Sequence, residues 1–313
     1  MVNKFKALVD RYSHITVVTH INPDPDTIAT GLGVYEILKN YGKKIEIVNI
    51  SKNIPTNLDF LKNYSKIKSK IDYDKSLIIS CDCGDYGRLG FELKDREIIN
   101  IDHHFSNTDY GILNIIDGSA VSASQVAYQL LKDEFKITKD IAECFYVALL
   151  SDTKNFTTNN IDKKTFEIAS ELISYNLNPA KITQNLNQRA SLASLRVTAL
   201  ALKSLTLHLG ARVSSMVVSK DDMLVTGAMA TDLSHLSGYT VSLSTVEIGI
   251  LISEINNKSK VSLRSKNIDV SLIANSFGGG GHKNASGFSV DYRDSKVLLD
   301  EIICKIDDIL DRG

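Results

Sequence analysis

The sequence predicts an α/β protein in which an N-terminal, doubly wound, mainly parallel sheet is followed by a smaller α/β domain with a mixed sheet. Short runs rich in Ile and Val alternate with amphipathic segments through the first half of the chain. This alternation changes after a polar, Asn-rich stretch at 176–188. The chain has 313 residues and 43% hydrophobic content, which is enough for two separate cores.

Four apolar runs predict the strands of the parallel sheet, because several are apolar throughout, as strands buried on both faces are. Between them, apolar residues at helical spacing predict a helix over 27–42 that ends near Gly42. Two further helices are predicted at 122–135 and 139–152. Alternating strands and helices favour crossover connections and therefore a parallel sheet. The four strand predictions are "HITVVTH" (14–20), "KIEIVNI" (44–50), "SLIISCD" (76–82) and "EIINIDHH" (97–104).

The predicted domain boundary follows the change in composition. An N-terminal domain over 1–185 is joined by a linker at 186–195 to a second domain over 196–313. In the second domain we predict strands in "ARVSSMVVS", "TVEIGILISE" and "KVSLRSK", followed by a helix in "DVSLIANSF". This mixture of elements indicates a mixed sheet rather than a second doubly wound domain.

Charge and apolar content exclude some classes of protein. The formal net charge of -1 argues against a protein that coats long nucleic acid. The N-terminus lacks the apolar segment of a signal peptide, and no run of ~18 apolar residues predicts a membrane span. The four cysteines show no zinc-site spacing, so we expect reduced thiols in a cytoplasmic protein.

Aspartate or histidine follows an apolar run in four places. Open parallel sheets bind ligands beyond the carboxyl ends of their strands, so these positions are expected to meet in one crevice. A single Asp there is usually a helix cap or a turn former, and Asp26 could simply cap the next helix. Four such clusters together predict a metal site. The clusters are His20, Asp24 and Asp26; Asp82, Asp85 and Arg88; Asp102, His103 and His104; and Asp152.

The donor types indicate which metal is expected. Carboxylates with some imidazole and no thiolate suit manganese or magnesium, or else cobalt, better than structural zinc. The candidates suffice for two ions with a bridging carboxylate, and two ions ~3.5–4 Å apart are typical of displacement at phosphorus. A dinucleotide-binding Rossmann domain is the alternative suggested by "GLG" at 31–33. It fails because Glu36 stands where the third glycine is needed.

A run of four glycines, Gly278 to Gly281, is the second strong feature. Glycines free the backbone for close approach to a ligand, and successive N–H groups in such a loop form an anion-binding nest. His282 and Lys283 follow directly, and Arg264 lies just upstream, where its guanidinium could bind a phosphate. A flexible hinge would explain the glycines but not these basic residues. We therefore expect a phosphate- or nucleotide-binding domain that faces the metal site.

These motifs resemble a known family. "THINPDPDTIAT", "DCGDYGRLG", "IDHH" and "LLSDTKNF" resemble motifs I to IV of the DHH phosphoesterase superfamily, in order. "SLRS" and "DVSLIANSFGGGGHKNASGF" resemble the DHHA1 substrate-binding domain. The length and the pair of domains are similar to those of the NrnA group. This resemblance implies hydrolysis of very short oligoribonucleotides to mononucleotides and of pAp to AMP. Action on cyclic or linear signalling dinucleotides, or a nucleotide-binding regulator without catalysis, are the alternatives.

The resemblance also implies a role for each motif residue. His20 and Asp24 would bind one ion, while Asp26, His103 and Asp152 would bind the other, and Asp82 would bridge both. His104 would contact the substrate phosphate, and Asp102 would orient a histidine. The substrate's terminal phosphate would be held by Arg264, Gly278, Gly279, Gly280, Gly281 and His282. Asp85 and Arg88 are expected to support the structure.

The remaining expectations concern partners and departures from the family pattern. The substrate is expected to be short RNA or a small nucleotide, with no long nucleic acid and no membrane, and a homodimer is compatible with the resemblance. Pro25 and Thr27 stand where the family often has smaller residues. Proline fixes φ and removes an N–H, which predicts a stiffer loop but no lost ligand.

Overall fold

The computed structural model describes residues 1–233 and 235–310. The chain divides into two compact units after Arg189. The helices and strands of the first unit are α1 (Val2–Arg11), β1 (His14–Thr19), α2 (Pro25–Asn40), β2 (Lys44–Val48), β3 (Ile67–Lys68), β4 (Leu77–Cys81), β5 (Ile98–Asp102), β6 (Leu113–Ile116), α3 (Ala123–Leu131), α4 (Lys139–Asp152), α5 (Lys163–Ile173) and α6 (Pro179–Asn187).

The first unit is built on a six-stranded sheet in the order β3-β2-β1-β4-β5-β6. Every neighbouring pair is parallel, which confirms the predicted parallel sheet. The chain moves outward from β1 to β3 and then returns to the middle to form β4. The point where the strand order reverses therefore lies between β1 and β4, the usual place for a ligand crevice in such sheets.

The helices of the first unit share one large apolar core with the sheet. The opposite face carries a smaller core, in which Val18, Ile78 and Ile98 pack against the segment that contains Cys83 and Leu93. Both faces of the central strands are thus buried. This is why their sequences are apolar throughout.

The "GLG" motif has a packing role in α2. A Cβ atom on Gly31 would lie 2.8 Å from Thr19 Cγ2, and one on Gly33 would lie 2.4 Å from Phe145 Cε1. Both distances are too short for real contacts, so the two glycines let α2 approach β1 on one side and α4 on the other. The motif is explained by close packing, in agreement with the rejection of a dinucleotide-binding turn.

The second unit contains a mixed six-stranded sheet in the order β11-β12-β10-β9-β8-β7, as predicted. Only β8 and β9 are parallel, and the other neighbouring pairs are antiparallel. The elements are α7 (Leu192–Lys203), β7 (Thr206–His208), β8 (Val213–Val218), α8 (Lys220–Thr226), α9 (Leu236–Tyr239), β9 (Ile248–Ile255), β10 (Lys258–Ser265), α10 (Ser271–Ser276), β11 (Gly280–His282), β12 (Ala285–Asp291) and α11 (Ser295–Leu310).

Both ends of the predicted linker at 186–195 are helical. α6 ends at Asn187 and α7 begins at Leu192, so the irregular chain here covers 188–191. The bounds 1–185 and 196–313 for the two domains remain a prediction. Within the described part of the chain, none of the helices has the length and apolar character needed to cross a membrane.

Candidate metal centre

The centre lies at the carboxyl ends of three adjacent strands, β1, β4 and β5. His20 follows β1, Asp82 follows β4, and Asp102 is the last residue of β5, with His103 and His104 next. Asp82 adopts a left-handed conformation with φ of 58°, which aspartate tolerates better than most residues. The strand order therefore brings together three clusters that are far apart in the sequence.

The turn between β1 and α2 positions Asp24. Its Oδ1 atom accepts a hydrogen bond from Thr27 N at 3.1 Å and caps α2, so Asp24 rather than Asp26 is the helix cap. Pro25 occupies the first helical position, where a missing N–H costs no hydrogen bond. Pro25, which departs from the family pattern, is therefore compatible with the start of α2. The Thr27 hydroxyl donates to Cys81 O, which ties this turn to β4.

Three side chains form a first group around His20. Its Nε2 atom lies 3.5 Å from Asp24 Oδ2 and 3.5 Å from Asp82 Oδ2. All three ligand atoms lie within 4.8 Å of one another.

A second group surrounds His103. The Nε2 atom of His103 lies 3.8 Å from Asp26 Oδ2, 3.4 Å from Asp82 Oδ1 and 3.5 Å from Asp152 Oδ2. Asp82 therefore turns one carboxylate oxygen to each group. All six side chains predicted as metal ligands are brought together here.

The spacing of these atoms fits bound cations. Separations of 3.4 to 3.8 Å exceed a normal N–H···O hydrogen bond. Ligand atoms about 2.1 Å from a shared ion stand roughly 3 to 3.5 Å apart. Asp82 Oδ1 is moreover buried and finds no hydrogen-bond partner in the described parts of the chain. A buried oxygen without a partner is costly, and a cation between Asp82 and His103 would satisfy it.

The electrostatics of the cluster also favour cations. Burial, followed by the charges of Asp82 and Asp152, raises the pKa of Asp26 well above its ordinary value. Burial raises the pKa of Asp152 to about 6. Burial lowers the pKa of His20 and His103, but the neighbouring carboxylates outweigh it and raise the pKa of each to about 10. Without metal the cluster therefore holds protons that divalent cations would replace.

Two neighbours orient the adjacent histidines. Nδ1 of His104 lies 2.7 Å from Asp102 Oδ1, and Nδ1 of His103 lies 3.2 Å from Ala120 O. Asp102 thus pairs with His104 and not with His103. The other oxygen of Asp102 accepts a hydrogen bond from Asn107 Nδ2. Sequence reasoning missed Asn107, although it lies five residues after Asp102 in the same motif.

Asp85 and Arg88 lie beside the first group. Asp85 caps the short 3-10 helix Tyr86–Leu89 by accepting a hydrogen bond from Gly87 N. Arg88 Nη2 lies 3.0 Å from His20 Nδ1, which is also 2.9 Å from Ile21 O. A proton on Nδ1 that is donated to Ile21 O leaves Nε2 of His20 free to bind a cation.

In the second unit, Arg264 lies on β10 and is half-buried. Its Nη1 atom donates to the backbone oxygen of Leu263, and it has no carboxylate partner among residues 1–233 and 235–310. Burial lowers the pKa of Arg264. A partly buried guanidinium without a carboxylate is available to bind an anion.

Two N–H groups of the glycine run are not available for the predicted anion-binding nest. Gly278 N donates to Asn275 O at 3.0 Å and Gly279 N donates to Ala274 O at 2.9 Å, so both close the C-terminus of α10. The next residues form β11, which pairs with β12. The physical reason is that the end of α10 leaves carbonyl groups that need donors.

Backbone conformation explains Gly278, and close packing explains Gly279 and Gly281. Gly278 has a φ of +76°, and a Cβ on Gly279 would lie 2.3 Å from Gly287 O. A Cβ on Gly281 would lie 2.7 Å from Ser286 Cα. Gly280 differs, because a Cβ there would only meet Asn275 Oδ1 at an ordinary 3.5 Å. His282, at the end of β11, is exposed.

Comparison with known proteins identifies two domains. Residues 14–149 match the DHH family, N-terminal domain, and residues 214–311 match the DHHA1 domain. The first match covers every proposed metal ligand except Asp152, and the second covers Arg264, the glycine run and His282.

Relatives are similar along nearly the whole chain. A bifunctional oligoribonuclease and PAP phosphatase NrnA of Bacillus subtilis is 27% identical, over 95% of this chain and 96% of that protein. Its counterpart from Thermus thermophilus is 27% identical, over 96% of this chain and 91% of that protein. A crystal structure of an exopolyphosphatase-related protein from Bacteroides fragilis has a TM-score of 0.91 at 23% identity, and covers 99% of this chain and 97% of that one. At 23% identity, the similarity to the Bacteroides fragilis protein shows a shared fold and nothing more.

Proposed function

Since the chain belongs to the DHH family and carries a DHHA1 domain as well, we propose that it hydrolyses short oligoribonucleotides to mononucleotides and converts pAp to AMP. The observation that carries this proposal is the division of Asp82 between two ligand groups, with one oxygen turned to each histidine. The choice of substrate is supported by the NrnA relatives, which match more than nine tenths of the chain.

The proposed metal centre holds two divalent ions. His20 and Asp24 would hold one ion, Asp26, His103 and Asp152 would hold the other, and Asp82 would bridge them. When bound, the ions lower the pKa of water and offset the negative charge of the phosphate group. Oxygen and imidazole donors without thiolate support manganese as the native metal, with magnesium or cobalt as substitutes.

The chain's own residues position the phosphate and stabilise its charge. Asp102 holds Nδ1 of His104, and its hydrogen bond raises the pKa of that imidazole. His104 Nε2 has no hydrogen-bond partner among the described residues and would donate to a phosphate oxygen. A positioned donor of this kind stabilises the charge that develops in the transition state.

Residues of the second unit would bind the terminal phosphate of the substrate. Arg264 is suited to this role because it is half-buried and has no carboxylate partner in the described ranges. His282 and the backbone of Gly280 are the other proposed contacts. The net charge of -1 supports a small substrate, since binding a long strand requires a basic track.

A length profile tests the proposal. Purified protein with Mn²⁺ is incubated with labelled RNA from dinucleotide to decanucleotide, and in parallel with pAp and linear di-AMP. We expect the fastest turnover on the shortest RNAs, release of mononucleotides and hydrolysis of pAp. Arg264→Lys, which keeps the charge but loses the planar fork, is expected to raise the KM for dinucleotide by about 10-fold.

The alternatives give different results. Turnover confined to linear di-AMP would favour a signalling dinucleotide as the substrate. Binding of nucleotide without turnover of any of these compounds would indicate a regulator and would reject the enzyme proposal. His103→Ala serves as the matched inactive control, because it removes the imidazole around which the second group is arranged.

A further inference from the structure

The side chain of Phe105 is 98% exposed, although aromatic residues normally bury much of their surface. It directly follows His104, so its backbone is one residue away from the proposed phosphate contact. Nothing in the first unit's cores uses this ring. Packing of the fold therefore does not explain why an aromatic residue stands at position 105.

Hydrogen bonds hold the loop that carries Phe105. Asn107 N donates to His104 O at 3.1 Å, and Asn107 Nδ2 donates to Asp102 Oδ2. Thr108 N donates to Gly84 O at 3.0 Å, which fixes the loop to the segment after β4. The exposed ring therefore stands on a backbone that is tied to the metal centre.

One edge of the Phe105 ring is turned toward Gly118, in the segment that supports His103. The ring's Cδ2 atom is 3.5 Å from the position that a Cβ on Gly118 would take. Ala120, two residues later, offers the carbonyl oxygen that lies 3.2 Å from His103 Nδ1. Phe105 thus follows His104 directly and lies near the segment that supports His103, while its ring stays open to a ligand.

We propose that Phe105 is a stacking platform for a nucleobase of the substrate, an inference that rests on the proposed nucleotide hydrolysis. A base is joined to its phosphate through one sugar, so a phosphate near His104 places a base within reach of the next side chain. Every nucleobase has a flat face that stacks on an aromatic ring, which provides affinity with little base preference.

The surroundings favour a nucleobase over a protein partner. The residues after Phe105 are Ser106, Asn107, Thr108 and Asp109, all polar. Protein interfaces use contiguous apolar patches rather than a single aromatic ring in a polar loop. One ring beside phosphate-binding groups is the arrangement that nucleotide recognition uses.

A fluorescence experiment tests stacking without any catalysis. The chain contains no tryptophan, so Phe105→Trp introduces a single reporter. AMP and ribose 5-phosphate, with Mg²⁺ present, form a matched pair that differs only in the base. We expect AMP to quench the tryptophan and ribose 5-phosphate to leave it unchanged. Ile112→Trp, at a side chain that is 56% exposed in the same unit, is the control and is expected to respond to neither.

A second variant measures the contribution to substrate binding. Phe105→Ala is expected to raise the KM for a ribodinucleotide by about 5- to 30-fold at an unchanged kcat, while Phe105→Tyr keeps the original KM. An unchanged KM in Phe105→Ala, or equal quenching by both ligands, would overturn the stacking proposal. Absence of turnover by the unaltered protein would instead overturn the proposed function, because AMP quenching is independent of turnover.

Discussion

Asp102 Oδ1 lies 2.7 Å from Nδ1 of His104, and this hydrogen bond is the largest cause of the raised pKa of His104. A histidine with a raised pKa stabilises the fold below its unfolded pKa of about 6.5. That contribution is lost as the pH rises through the folded value. The pairing of these two side chains leads to the first prediction.

Asp102→Asn should lower the pKa of His104, because the amide carries no charge to stabilise the imidazolium. The measurement is an NMR titration of the imidazole in metal-free protein, with His208 in the second unit as the internal control. We also expect activity to fall by about 10- to 100-fold. A His104 titration that does not move would contradict the assigned pairing.

Asp82→Asn should abolish most activity, because Asp82 turns one carboxylate oxygen to each of the two ligand groups. The change keeps the shape of the side chain but removes the negative charge that both proposed ions would share. Activity is expected to fall by more than about 100-fold, as measured on dinucleotide. Asp95→Asn, at an exposed position, is the charge-matched control. Full activity in Asp82→Asn would reject the bridging role.

The stability of the metal-free protein should decrease as pH rises. The pKa of Asp152 is raised to about 6. Its contribution to the free energy of unfolding is therefore present below about pH 4 and is lost by about pH 6. The pKa values of His20 and His103 are raised to about 10, so their contributions are lost between about 6.5 and that value. All three shifts have the same sign.

Thermal unfolding at pH 6.5 and pH 9 in EDTA therefore should show a Tm several degrees lower at the higher pH. Added Mg²⁺ should protect more strongly at pH 9, where fewer protons compete with the ions. Equal protection at both values would contradict proton-linked metal binding.

Gly279→Ala and Gly280→Ala should separate packing from substrate contact. The first places a Cβ 2.4 Å from Phe288 Cβ and should lower the free energy of unfolding by about 1–3 kcal/mol. In Gly280→Ala the added Cβ meets no close atom, so the free energy of unfolding should change by less than about 0.5 kcal/mol. If the Gly280 backbone contacts substrate, Gly280→Ala alone should raise the KM for dinucleotide at normal stability. Unchanged kinetics would remove Gly280 from the proposed site.

Local patterns in the sequence were enough to predict the central strands of the parallel sheet, the helix over 139–152 and the four clusters of candidate ligands, while the choice of six ligands among them came from the family resemblance. Buried strands must be apolar, and the polar residue that ends each one stands out against that background. The long helix α11 is also visible in the sequence, because Leu298, Ile302 and Ile306 are spaced four apart, as on one face of a helix, and are buried. α1 is harder to predict, because only Phe5 and Val9 are fully buried in it and Leu8 is partly buried against the core.

The sequence by itself determined which donors are available at the strand ends, because residue type and position after an apolar run are local properties. Only the tertiary structure decided that Asp82 divides its oxygens between His20 and His103, that Asp102 pairs with His104, and that two glycines close a helix end. These outcomes depend on the strand order, on the left-handed turn at Asp82 and on where α10 ends. They arise from packing between segments far apart in the chain, and such packing leaves no mark on the spacing of residues within any one motif.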